Sequence, residues 1–287
     1  MARVHRVMDH VRRNVDGELS LETLAAVANS SRYHFHRVFK GVTGETLTQF
    51  VQRTRLERAA YLMKASPSRS LASIAYEVGF SEQSDFSRVF RSHYGVAPSQ
   101  WDRRSRIDAG GISNFDSELA KAKADGPPPS VMIVSRPGCR LLYVRVRTPF
   151  VGPALHDGYR RLTAWLDSND VDWRHRELIG LSWDNYETTP IELVQYDLGF
   201  TVPDDLDTQD EFGIHELPSM LSAEVHCLGP LSRIAVAWDH LYDTWLPTSD
   251  YEPEDLPGIK RFRRRPDELG WDTYDLDACL AVRRMVG

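Results

Sequence analysis

The stretch Ile74-Ala75-Tyr76-Glu77-Val78-Gly79-Phe80-Ser81-Glu82-Gln83-Ser84-Asp85-Phe86-Ser87-Arg88-Val89-Phe90-Arg91 decides how the first third of this chain folds. Ile74, Ala75 and Val78 recur at helical spacing, Gly79 interrupts them, and Phe86, Val89 and Phe90 resume the same period. A glycine at that break supplies the positive φ of a tight turn between helices, and small Ala75 lets the two helices approach closely. With Phe86, Val89 and Phe90 turned inward as core, Gln83, Ser84, Ser87 and Arg88 occupy the opposite face. Those side chains suit the edges of base pairs: Arg pairs with guanine, Gln with adenine, and Ser is permissive. The stretch reads as a helix-turn-helix unit.

Working outward, the same pattern occurs earlier in the chain. Ser20, Leu21 and Ala25 return fifty residues later as Ser70, Leu71 and Ala75. From Ser30 the offset becomes fifty-one, so that Phe35, Arg37, Val38, Phe39 and Gly44 match Phe86, Arg88, Val89, Phe90 and Gly95. The extra residue falls at the turn, where Asn29 is the next-best residue for positive φ. Phe35, Val38 and Phe39 are expected as core, with Arg32, Tyr33, His36 and Arg37 exposed for base reading. Ser31 and Ser81 are placed to cap the second helix of each copy. A helix over about 48–64 joins the copies, and such a rigid spacer sets two recognition helices in successive major grooves, about 34 Å apart. Lys40, Arg91, Arg53 and Arg55 are expected on phosphates, which position the protein without reading sequence.

The net charge of −6 hides a division. Residues 1–106 carry 17 Lys+Arg against 10 Asp+Glu, whereas the remainder carries 18 against 31. A basic front attracts phosphate, and an acidic rear suits a cationic or neutral partner. No run of eighteen apolar residues occurs, so no membrane partner is expected. Charges interrupt the apolar stretches of residues 1–14, which argues against a signal peptide and for the cytoplasm. Cys139, Cys227 and Cys279 are too few and too scattered for a disulfide framework or a thiolate zinc site. His34 and His36, spaced i, i+2, point to different helix faces, so neither a metal nor any other cofactor is expected.

Between about 105 and 130 the helical pattern gives way to a linker with one short helix and a stiff Pro127-Pro128-Pro129 end. Beyond it, short β-branched or aromatic runs alternate with helical stretches near 154–166 and 233–245. Strand, helix, strand, strand appears twice, which implies a duplicated βαββ module in an α+β domain. The boundaries are 1–106 for an all-α domain, 107–130 for the linker and 131–287 for the rear domain. Trp183, Tyr186, Tyr196, Trp238, Tyr242 and Trp245 lie among many carboxylates, a composition suited to a lipophilic or cationic small molecule.

Residues 3–104 resemble the AraC/XylS family of bacterial transcription regulators. The stretch 74–91 carries the likeness, followed by Tyr94-Gly-Val-Ala-Pro98-Ser-Gln-Trp101-Asp-Arg. The resemblance implies seven helices, two helix-turn-helix units on a long helix, a double-stranded operator in a promoter, and RNA polymerase as a partner. Residues 131–284 resemble the GyrI-like small-molecule-binding domain, through Gly180-Leu-Ser-Trp183-Asp-Asn-Tyr186, Ala237-Trp238-Asp-His-Leu-Tyr242 and the closing run Asp277-Ala-Cys-Leu280-Ala-Val282. That likeness implies two βαββ modules with a ligand groove between them and a small-molecule effector. It places Asp277 where a closing-strand carboxylate often faces the ligand, with Trp183, Tyr186, Tyr196, Trp238 and Glu187 as further lining. A regulator rather than an enzyme is the resulting expectation. Hydrolysis of a reactive small molecule, with Glu187 and Asp277 as acid and base, and binding of a protein partner remain as alternatives.

Overall fold

The computed structural model describes residues 2–66, 69–101, 115–124, 128–147, 153–184, 189–190, 193–206, 208 and 212–285. It divides into two units, Met1–Ala109 with Asp184–Thr189, and Gly110–Trp183 with Pro190–Gly287.

The first unit is helical. Its elements are α1 (Ala2–Arg13), α2 (Leu21–Val27), α3 (Arg32–Thr43), α4 (Leu47–Ala65), α5 (Leu71–Glu77) and α6 (Gln83–Tyr94). Two cores form, one per helix-turn-helix copy, and α4 serves both. It gives Leu47, Phe50 and Val51 to the first and Leu56, Ala59, Ala60, Leu62 and Met63 to the second. Nineteen residues of helix span about 28 Å at ~1.5 Å per residue, so α4 is the rigid spacer the sequence called for. Its start is fixed by a capping box, in which Thr46 Oγ1 accepts from Gln49 N–H while the Gln49 side chain accepts from Thr46 N–H.

The turns bear out the repeat and refine it. Asn29 and Gly79 take positive φ, 48° and 84°. Ser30 N–H donates to Ala25 C=O and Phe80 N–H to Ala75 C=O, each at 3.0 Å, so Ser30 and Phe80 are equivalent in the fold. The extra residue enters after them. The capping expectation fails: Ser31 makes no capping hydrogen bond, and the N-cap of α6 is Glu82, not Ser81. The serines that do cap are Ser20 and Ser70, which accept from Thr23 and Ser73 N–H at the starts of α2 and α5. Val38, expected as core, is 37% exposed, because the two phenylalanines already fill the inward face of α3. Of the seventh helix, the described residues hold only the 3-10 turn Pro98–Gln100.

The second unit opens with α7 (Phe115–Ala124), the short helix expected in the linker. A nine-stranded sheet follows: β1 (Met132–Arg136), β2 (Cys139–Arg147), β3 (Leu178–Ser182), β4 (Gln195–Val202), β5 (Gly213–Leu217), β6 (Met220–Gly229), β7 (Tyr251–Pro253), β8 (Gly258–Arg264) and β9 (Tyr274–Arg284). Helix α8 (Ala154–Ser168) lies between β2 and β3, and α9 (Leu231–Asp239) follows β6. The strand order β1-β6-β9-β8-β3-β4-β2-β5 is symmetric about the central β8–β3 pair, as two βαββ modules require. End strand β1 is joined by Pro137-Gly138 to β2, next to the opposite end of that path, and end strand β5 is joined by Pro218-Ser219 to β6, next to the other end. Two-residue links cannot span a flat sheet of this width, so the sheet curls until its ends meet. At the meeting point a Cβ on Gly138 would stand 2.9 Å from the Leu217 carbonyl oxygen. Linker helix α7 packs on α9 through Lys123–Asp239 at 2.6 Å and Arg233 donating to Ala122 C=O at 3.1 Å.

Candidate functional site

Two regions gather candidate functional side chains. The first comprises the outer faces of α3 and α6. Arg32, Tyr33, His36, Arg37 and Lys40 stand at helix positions matched, fifty-one residues on, by Gln83, Ser84, Ser87, Arg88 and Arg91. His36 and Ser87 are half-buried, and the other eight are exposed. Beneath them Phe35 and Phe39, tilted at 5.7 Å, and Phe86 and Phe90, edge to face at 5.5 Å, anchor each helix. Tyr33 is 76% exposed, and the Arg37 guanidinium sits 5.9 Å above its ring. Arg32 pairs with Glu22 and Arg88 with Asp85, all four side chains being largely exposed. Exposed pairs of this kind hold little free energy, so either arginine exchanges its partner for a phosphate or a base at small cost.

Two arginines expected on phosphates are not available for them. Arg53 is 3% exposed and bonds Glu45, Glu57 and Asp184 within the first unit. Arg55 donates to the backbone carbonyls of Val15 and Gly17, at 3.0 Å each, and ties the loop after α1 to the spine. Both lie on the packed sides of α4, a distinction that spacing alone did not make.

The second region is the helix-bearing face of the curled sheet. Register places Gly180 beside Lys260 and Ser182 beside Gly258 on the central strands, with Tyr196 next to Ser182 on β4. Trp238 of α9 lies over Gly258, where an added Cβ would stand 3.3 Å from the indole. The Tyr196 phenol lies over Gly180 so closely that any side chain there would collide with it. Lys260 Nζ donates to Ser182 Oγ at 2.6 Å and stands 4.8 Å above the Tyr196 ring. Burial lowers its pKa from 10.5 to about 8. Trp238 stacks on Tyr242 at 5.9 Å.

The expected ligand residues divide between the two faces. Tyr196 and Trp238 belong to this groove. Asp277 is the register partner of Arg261, one residue out of step with Lys260, and therefore points to the other face, where Arg263 holds it at 2.9 Å. Trp183 also belongs to that face: its indole N–H donates to Asp197 at 2.8 Å. Burial would raise the Asp197 carboxyl, but the bidentate Arg145 guanidinium, with His215 beside it, holds it well below the usual range. Tyr186 and Glu187 lie outside the described residues. Sequence reasoning missed Lys260, Asp197, Arg145 and His215. A charged residue inside an otherwise apolar strand run was the available signal for Arg145 and Asp197. Lys260 sits in Ile259-Lys-Arg-Phe-Arg-Arg264, which reads as a solvated charge run until its strand is known.

Comparison with known proteins fits both regions. Residues 24–104 match the Helix-turn-helix domain family, and residues 129–283, more than half of the chain, match the GyrI-like small molecule binding domain family. The MmsAB operon regulatory protein of Pseudomonas aeruginosa is 34% identical over 102 residues, which are 36% of this chain and 33% of that protein. Transcriptional regulator Rob of Salmonella typhimurium is 32% identical over 99 residues, 34% of either chain. The matches thus span about a third of the length of these relatives. Among solved structures, the DNA-binding domain of AdpA in complex with a target DNA is 27% identical, covering 34% of this chain and 86% of that one, with a TM-score of 0.32. The chain belongs to the GyrI-like small molecule binding domain family and carries, ahead of that domain, an AraC-type helix-turn-helix domain.

Proposed function

We propose that this protein is a one-component transcription regulator, acting in the cytoplasm, that reads a double-stranded operator with α3 and α6 and whose promoter output, through RNA polymerase, changes when a small molecule occupies the rear domain. The observation that carries the DNA half is the pair of five-residue faces with identical spacing, each on a helix anchored by two buried phenylalanines. Packing needs the phenylalanines; it does not need Arg37 and Arg88 outside. The names of the relatives, an operon regulatory protein and a transcriptional regulator, support the same reading. For the rear half the support is the family match and a groove floored by glycines and walled by Tyr196 and Trp238. A regulator that is not an enzyme accounts for both halves.

The test is a gel-shift titration on a sequence selected from random duplexes. Affinity falls steeply with salt, as counterion release demands. Arg37→Ala and Arg88→Ala each weaken specific binding by about 1–3 kcal/mol and relax preference at one position. Unchanged affinity and preference in both variants would remove the base-reading assignment.

A further inference from the structure

We infer that the groove between α8 and α9 selects an anionic ligand, a carboxylate carried on a flat apolar body, and that Lys260 is the residue that binds its charge. This rests on the reading of the rear domain as a small-molecule sensor and names the class of molecule sensed.

The argument begins with how the other buried cations are treated. Arg53 faces three carboxylates, Arg145 faces Asp197, and Arg261 faces Glu177. Lys260, just as deeply buried at 5% exposure, faces none: among the described residues no carboxylate lies within ion-pair distance of its Nζ. Its one oxygen acceptor there is Ser182 Oγ, and an ammonium has three N–H donors. Two donors and a full charge are left for something the described residues do not supply. Burying a cation on those terms is unfavourable, and a core position with no other role would carry an apolar residue.

The surroundings define what fits. The Tyr196 ring lies 4.8 Å from the amine and packs over Gly180, and Trp238 packs over Gly258, the register partner of Ser182. Ser182 and Gly258 remain partly exposed, so the groove is open to solvent at that end. Ser182, having accepted from Lys260, keeps its own hydroxyl proton for a second donor bond to the same guest. A carboxylate is met by charge-assisted hydrogen bonds from the amine and the serine, and its apolar body by two aromatic faces. The acid expected to attract a cation is elsewhere: Asp277 points to the opposite face and is neutralised by Arg263.

The experiment is calorimetric titration of the full chain at pH 7 with three probes of one shape: naphthalene-2-carboxylate, naphthalene-2-carboxamide and 2-naphthyltrimethylammonium. The carboxylate is expected to bind about tenfold or more tighter than the amide, and the ammonium more weakly than either. Lys260→Met should abolish the preference of carboxylate over amide, and Lys260→Gln, polar but uncharged, should do the same. Equal binding of carboxylate and amide by the wild type, or an undiminished preference in both variants, overturns the inference. Tightest binding of the ammonium probe overturns charge selection and leaves the sensor reading standing. Failure of all three probes to bind the wild type overturns the sensor reading and this inference with it.

Discussion

Two buried cations, Arg53 on the helical spine and Lys260 at the centre of the sheet, are treated in opposite ways. Arg53 is surrounded by Glu45, Glu57 and Asp184, and Arg12 adds a second cation to Asp184 at 2.9 Å. Burial would lower the Arg53 pKa, but the carboxylates outweigh it and hold the guanidinium firmly charged. Lys260 has burial without a carboxylate partner among the described residues, and burial lowers its pKa. A cluster closed upon itself serves the fold, whereas a buried charge left open serves a guest. The difference separates a structural ion network from a candidate binding site where burial alone would class them together.

Removing Arg53 tests the closed half and carries the largest expected effect. Arg53→Met leaves Glu45 and Glu57 in the interior without their guanidinium, Asp184 keeping Arg12, and should cost about 3–5 kcal/mol of stability, measured by denaturant unfolding of the full chain. A neutral outcome would mean that the network is replaceable by apolar packing and erase the contrast.

Lys260→Met is the opposing case and should stabilise. The folded pKa of about 8 lies below the free amine's 10.5, so between those values the unfolded chain binds more protons. The penalty from this group is therefore complete below pH 8 and is relieved as pH rises towards 10.5. At pH 7 the variant should gain up to about 3 kcal/mol, and the gain should shrink with rising pH across that window. Loss of stability at pH 7 in Lys260→Met would show that the amine is a structural member and not a reserved one.

Two smaller effects sharpen the scale. Thr46→Ala breaks the capping box that starts the spine and should cost about 1 kcal/mol by thermal unfolding. Asp85→Asn, which removes the partner of Arg88 in an exposed pair, should change stability by less than about 1 kcal/mol. Because it also deletes a negative charge from the α6 face, it should raise affinity for duplex DNA at low salt and lose that advantage at high salt. A large stability loss there would place the pair with Arg53 among the structural contacts.

The first unit was largely legible because helices bury a stripe that local spacing reveals. The repeat located both turns, and Asn29 and Gly79 did take positive φ. What spacing missed were fine placements. Val38 lies at the edge of its stripe, the capping serines are Ser20 and Ser70, and Arg53 and Arg55 face inward although each looked like a surface arginine. A helix position becomes core or surface only when a neighbour packs against it, and α4 has neighbours on several sides.

For the rear domain, the sequence by itself determined the class, the two helices and the doubled order of strands, since those follow from local period and punctuation. It could not determine which face a strand residue takes, because the alternation of side chains has meaning only once the register is known. Tertiary structure decided that Asp277 and Lys260, on neighbouring strands and one step out of register, look in opposite directions. It also drew Gly180, Tyr196, Trp238 and Lys260, from four separate elements, into one groove. Pairing between strands distant in sequence sets the charge of that groove, and no local stretch of the chain records it.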